Sequence, residues 1–263
     1  MTVDVGGVAN KSLKTKIDRN ARKLFEVSLT DPNENSVAQS VWAKRWLPTL
    51  DIDHALKATP RTNEANALNA ILTLDWPELV KACQAWAIDE SFSSRPSELG
   101  SYAASVGLEN YPLAENICRI ALIANPHDQS LMNNLAFALA NQNKLDDAFR
   151  LIKNVHPPYD DVSTEIALKA TKGLVNFRRG DIESGKALYL EAIALAKSTS
   201  HPRQRALASI YYAREMLHSG QFTISAALSF AEAECNSSSY PDVIWLLKQM
   251  KSTSFGANQL LYR

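Results

Sequence analysis

Two consecutive stretches of this chain repeat one helix–turn–helix pattern, and no other feature limits the fold as much. Residues 101–126 read SYAASVGLENYPLAENICRIALIANP, and residues 133–157 read NNLAFALANQNKLDDAFRLIKNVHP. Each begins with a helix rich in small residues, turns sharply, continues in a second helix with an early alanine (Ala114, Ala148), and stops at proline (Pro126, Pro157). A hairpin this short cannot bury its apolar side alone, so it has to stack on a neighbour of the same kind. Only 9 of the 263 residues are glycine, and no segment alternates with the period of a strand. The expected class is therefore all-α.

Apolar periodicity near 3.6 extends the pattern along the chain. It predicts six helical hairpins: 33–47 with 51–58, 62–74 with 77–90, 96–106 with 112–124, 128–142 with 145–155, 163–179 with 182–197, and 202–219 with 223–234, closed by a capping helix over 241–251. A helix over 12–29 comes before them. Leu13, Ile17, Ala21, Leu24 and Val27 share one of its faces, and it stops before Pro32. It reads as a second helix whose first helix is missing. Residues 1–10 read as a flexible leader, 11–251 as the repeat domain, and 252–263 as a loosely held tail.

The turns repeat as well. Asp75-Trp76-Pro77 and Asn110-Tyr111-Pro112 lie 35 residues apart. In each, an Asp or Asn caps the second helix, an aromatic packs back on the first, and proline takes an early position where its missing N–H costs nothing. Gly180 and Gly220, 40 residues apart, suit the left-handed residue that ends a helix. Ala103, Ala114, Ala121, Ala136, Ala148, Gly173, Ala192 and Ala213 fall where helices are expected to cross closely.

These hairpins, turns and small residues resemble the tetratricopeptide family of α-solenoids, whose period is about 34 residues. The likeness is closest over 95–198. The tryptophan usual near the start of each first helix is absent, with Met132 near that place in one copy, so a related α-solenoid remains open. The resemblance implies a non-catalytic scaffold that binds a protein or peptide, as a regulatory module of a larger polypeptide or multi-protein system. It also implies that the first helices line a concave face. Carried over position by position, that face offers Gln39, Trp42 and Arg45 (with Trp46), then Arg61, then Asn133, Asn134, Phe137 and Asn141, then Arg178, then Tyr211 and Arg214. Asn side chains can both donate and accept along an extended peptide, and Trp and Arg are frequent interface anchors. Trp42 and Trp46, one turn apart, equally fit two core residues. Some members grip a C-terminal carboxylate with Lys, Arg and Asn from successive repeats. Asn134 matches one such Asn, but Leu99 and Ala103 stand where Lys and Asn are needed.

Few other chemistries are legible. Lys+Arg and Asp+Glu are both 28, a zero net charge that argues against a dedicated nucleic-acid binder. The alternative function is a nucleic-acid-associated factor acting through the basic run Lys11, Lys14, Lys16, Arg19, Arg22 and Lys23. No aromatic interleaves with those charges, which also suit a solvated outer face. Three scattered cysteines, Cys83, Cys118 and Cys235, suggest neither a disulfide framework nor a zinc site. Cys83 and Cys118 hold matching places 35 residues apart and read as small packing residues. No His pair has metal-ligand spacing, and Lys11-Ser12 lacks the glycines of a phosphate-binding loop. No catalytic constellation, cofactor or membrane span is expected, and a reducing cytoplasmic setting fits best.

Overall fold

A computed structural model describes residues 19–59, 62–153, 155–156, 161–235 and 240–260. The leader 1–10, Lys11, Lys14, Lys16 and Arg61 lie outside the described residues. Among the described residues every regular element is helical, and consecutive helices pack on one another. The chain divides into two compact units after Glu109. The boundary falls in the turn of the third expected hairpin, so its two helices belong to different units.

The first unit holds α1 (Arg19–Ser28), α2 (Glu34–Ala43), α3 (Asp53–Ala58), α4 (Asn63–Thr73), α5 (Trp76–Asp89) and α6 (Arg95–Tyr102). α1 packs on α2, α2 on α4, α4 on α5, and α5 on α6. Asn33 starts α2 with a reciprocal cap: its Oδ1 accepts from the Ser36 N–H, and the Ser36 Oγ accepts from the Asn33 N–H. The helix expected through 47 ends at Ala43, because the backbone tightens there (Trp46 N–H to Ala43 O, 2.9 Å). That turn brings Leu47 and Leu50 into the core with Phe25, Val37 and Val41.

α6 runs on into a π-helical turn, Ala103–Gly107, which a 3.6-residue period does not reveal. Trp76 explains the location. A Cβ on Gly107 would lie 2.1 Å from the Trp76 ring, and Tyr102 lies 6.5 Å from it centroid to centroid. Trp76 thus packs against the helix that follows its own.

The second unit holds α7 (Tyr111–Ala124), α8 (Gln129–Asn141), α9 (Leu145–Ile152), α10 (Val162–Arg178), α11 (Ile182–Ser198), α12 (Pro202–His218), α13 (Ile224–Cys235) and α14 (Pro241–Leu260). α8, α10 and α12 touch in succession as a row of first helices. α9 and α11 each pack between their own first helix and the next. α14 continues nine residues past the expected end at Lys251, to Leu260. The small residues named above are all buried. At Gly173 a Cβ would meet the Tyr189 ring at 2.8 Å, so α10 and α11 approach through the missing side chain.

One turn design recurs across both units. Leu74, Glu109, Asn143, Gly180 and Gly220 all have positive φ, at intervals of 35, 34, 37 and 40 residues. After four of them, the next N–H (Asp75, Lys144, Asp181, Gln221) reaches back to the carbonyl five residues earlier, at 2.8–3.0 Å. Glycine marks only the last two of these turns, while the first two directly precede the capped turns expected at Asp75 and Asn110. Asp75 and Asn110 cap as expected, accepting from the N–H groups of Glu78 and Leu113, both at 3.1 Å. No helix among the described residues is long and apolar enough to cross a membrane.

Candidate functional site

The second unit brings together most of the expected binding residues. Asn133, Asn134, Phe137 and Asn141 come from α8, Arg178 from α10, and Tyr211 and Arg214 from α12. The Phe137 ring meets Tyr211 edge-on at 5.2 Å and Tyr111 at 6.4 Å. Both are favourable edge-to-face arrangements. The Arg214 guanidinium lies 5.7 Å from the Tyr211 ring centre. Phe137 and Tyr211 rest on the core beneath while remaining part-exposed.

Arg178, expected to reach an acidic group on a partner, meets one within the chain. Its Nε and Nη2 donate to the two carboxylate oxygens of Glu215, both at 2.7 Å. This is the bidentate geometry that makes Arg–carboxylate pairs strong. Glu215 is buried, and its hydrogen bonds, outweighing desolvation, hold the Arg178 pKa above its ordinary value. Tyr189 of α11 lies wholly buried behind the pair, and burial pushes its hydroxyl pKa far up.

The amides behave less uniformly than the sequence suggests. Asn141 turns back along its own helix, Nδ2 donating to the Phe137 carbonyl at 2.9 Å. Asn133 is only 8% exposed, where a groove-lining amide was expected. Its Nδ2 donates to Asn134 Oδ1 at 3.4 Å, while its own Oδ1 is buried with no donor in hydrogen-bond range. One turn earlier, Gln129 Oε1 is buried in the same condition.

In the first unit the described residues among those expected meet the core or local partners. Trp42 and Trp46, with ring centres 4.2 Å apart, both pack against the core. Arg45 is exposed, its guanidinium 5.6 Å from the Trp46 ring centre, and Gln39 Nε2 donates to Asn35 Oδ1 at 2.9 Å. In the basic N-terminal helix, Arg22 pairs with Glu26 at 2.8 Å and donates to Thr49 Oγ1, so part of its positive face is neutralised locally.

The three thiols are buried and form no disulfide. Burial pushes Cys83 up to about 12 and Cys235 up to about 11, leaving both protonated at neutral pH. Sequence reasoning missed Tyr111 and Glu215 beside these residues. Glu215 carried no signal, because a carboxylate on a polar helix reads as solvated. Compared with family models, curated proteins and solved structures, the chain gives no match to any of the three.

Proposed function

We propose that the chain is a tetratricopeptide-like binding scaffold whose second unit holds an extended peptide segment along the row α8, α10 and α12. The recurring left-handed turns, the buried small residues and the first-helix row support the repeat reading. The function rests on one observation: side chains from three successive first helices converge on a single face. Phe137 and Tyr211 supply apolar contact, and the Arg178–Glu215 pair holds α10 against α12. In this reading the rings anchor the segment, and the ion pair keeps the face in shape before the segment arrives. Such preorganisation reduces the ordering cost of binding.

Random-peptide display panned on the intact chain tests the proposal. Selected peptides are expected to cross-link to a photoreactive phenylalanine placed at Tyr211. They are not expected to cross-link to one placed at Ile123, an exposed residue of α7. Peptides that cross-link at Ile123 and not at Tyr211 would move the site elsewhere.

A further inference from the structure

We infer that the last helix, α14, offers an open docking row to an amphipathic helix of a partner protein, one that carries a carboxylate opposite Lys248. α14 packs on α12 and α13 as α12 packs on α10 and α11, and as α10 packs on α8 and α9. Arg203 of α12 fixes it there, with Nε and Nη2 both donating to Asp242 Oδ2, at 2.9 and 2.6 Å. α14 therefore stands in the place of a further first helix. In the two first helices before it, that place comes with a second helix alongside, α11 beside α10 and α13 beside α12.

The side of α14 that a second helix would cover follows from those two precedents. Residues at four-residue steps form one inclined row on a helix. The fourth, eighth and twelfth residues make such a row: Glu165, Lys169 and Gly173 in α10, Arg205, Ser209 and Ala213 in α12, and Ile244, Lys248 and Ser252 in α14. In α10 the row meets α11. Lys169 Nζ donates to Glu191 Oε2 at 3.0 Å, and a Cβ on Gly173 would lie 2.8 Å from the Tyr189 ring. In α12, Arg205 pairs with Glu234 of α13 at 3.1 Å, and Ser209 and Ala213 are wholly buried. In α14 the same row is open: Ile244 is 54% exposed, and Lys248 and Ser252 are exposed.

Each position of the row defines what it would accept. Ile244 calls for apolar contact, because an exposed isoleucine gains by leaving water. Lys248 stands where Lys169 meets Glu191, so its counterpart is a carboxylate. Lys251 already has one, Glu232 of α13 at 2.6 Å, whereas Lys248 has none among the described residues. Ser252 follows Gly173 and Ala213 as a small residue, which lets two helix backbones approach. Together the three fit a helix with an apolar stripe and an acidic residue beside it. Charge disfavours α1 of a second copy as that helix, since its exposed Arg22 and Lys23 would bring positive charge to Lys248.

The probe is a displayed library of 17-residue amphipathic helices, the length of α11, selected on the intact chain and titrated as synthetic peptides. Selected helices are expected to carry Asp or Glu at one fixed position and to gain helical circular dichroism on binding. Ile244→Asp and Lys248→Glu are each expected to weaken them about tenfold or more. The melting temperature should hold, because both side chains are exposed. Replacing the peptide's acidic residue by lysine is expected to restore affinity for Lys248→Glu and to lose it for wild type. Tyr211→Ala should leave these helices bound as before, so this inference and the peptide-binding reading fail separately. Selected helices that ignore both α14 variants overturn the inference, as does a library from which nothing binds. Self-association of the chain alone, abolished by Ile244→Asp, assigns the row to a second copy and overturns the choice of partner.

Discussion

Arg178 on α10 and Glu215 on α12 form two parallel hydrogen bonds, each 2.7 Å long, across neighbouring first helices. The carboxylate is buried and the guanidinium reaches the surface, its side chain 33% exposed. Removing either partner has different consequences. Arg178→Ala leaves a buried charge without its donors and is expected to cost about 1–3 kcal/mol in urea unfolding. Arg178→Ala/Glu215→Leu, which removes both, is expected to recover part of that loss. Strict additivity of the two changes would mean that the pair is not coupled.

Acid should weaken the second unit through Glu115. Burial alone would raise this carboxyl's pKa, but hydrogen bonds from Lys144, Arg119 and Gln142 more than offset it and bring it down to about 2. A carboxyl whose folded pKa is depressed contributes stability above its unfolded value. That contribution is lost as pH falls from the ordinary 4.5 toward 2. Because Lys144 and Arg119 are both solvent-exposed, the expected contribution is about 1–2 kcal/mol. Denaturant midpoints measured from pH 6 to pH 2 should fall more steeply for wild type than for Glu115→Gln. Parallel curves would remove Glu115 from the account.

The helix crossings are expected to resist enlargement. Ala136 and Ala148 are fully buried in the core of the second unit. Ala136→Leu and Ala148→Leu should each cost about 1–3 kcal/mol through overpacking. Lys144→Ala, which removes an exposed lysine 2.6 Å from Glu115, should cost below about 1 kcal/mol. Equal urea midpoints for the three variants would contradict the packing.

In the first unit, Gly107→Ala drives a methyl into the Trp76 ring, to which a Cβ would come within 2.1 Å. The ring has little space in which to retreat, since Trp76 is 5% exposed. The substitution is expected to cost about 1–3 kcal/mol and to shift tryptophan fluorescence. Gly107→Ala combined with Trp76→Leu should recover stability. No recovery would place the strain elsewhere.

The helices were readable because each segment's apolar period, cap and stop agreed with the others. The bounds expected for the helix over 182–197 and for the second helix 112–124 fall within one residue of those found, Ile182–Ser198 and Tyr111–Ala124. The failures have physical causes. The π turn at Ala103–Gly107 inserts a residue without altering composition, so the period gives no warning. Leu74, Glu109, Asn143 and Ser200 adopt the left-handed conformation without glycine, so glycine marks only two of the six such positions among the described residues. The candidate face was half legible. Phe137 and Tyr211 were among the residues that the family resemblance implied, and the structure places their rings together. The fate of Arg178 did not follow, because its partner Glu215 lies 37 residues away. No local pattern records which of two helices will pack side by side.

The most direct measurement is the dissociation constant of one display-selected peptide for wild type, Phe137→Ala, Tyr211→Ala and Ile123→Ala, with each variant's melting temperature recorded beside it. Interface anchors of this kind typically cost more than about 2 kcal/mol when truncated, or more than roughly a thirtyfold loss of affinity. The account predicts such a loss for Phe137→Ala and Tyr211→Ala while the folded state persists, with Ile123→Ala unchanged. Unchanged affinity at both aromatic positions, with the loss at Ile123, would contradict it.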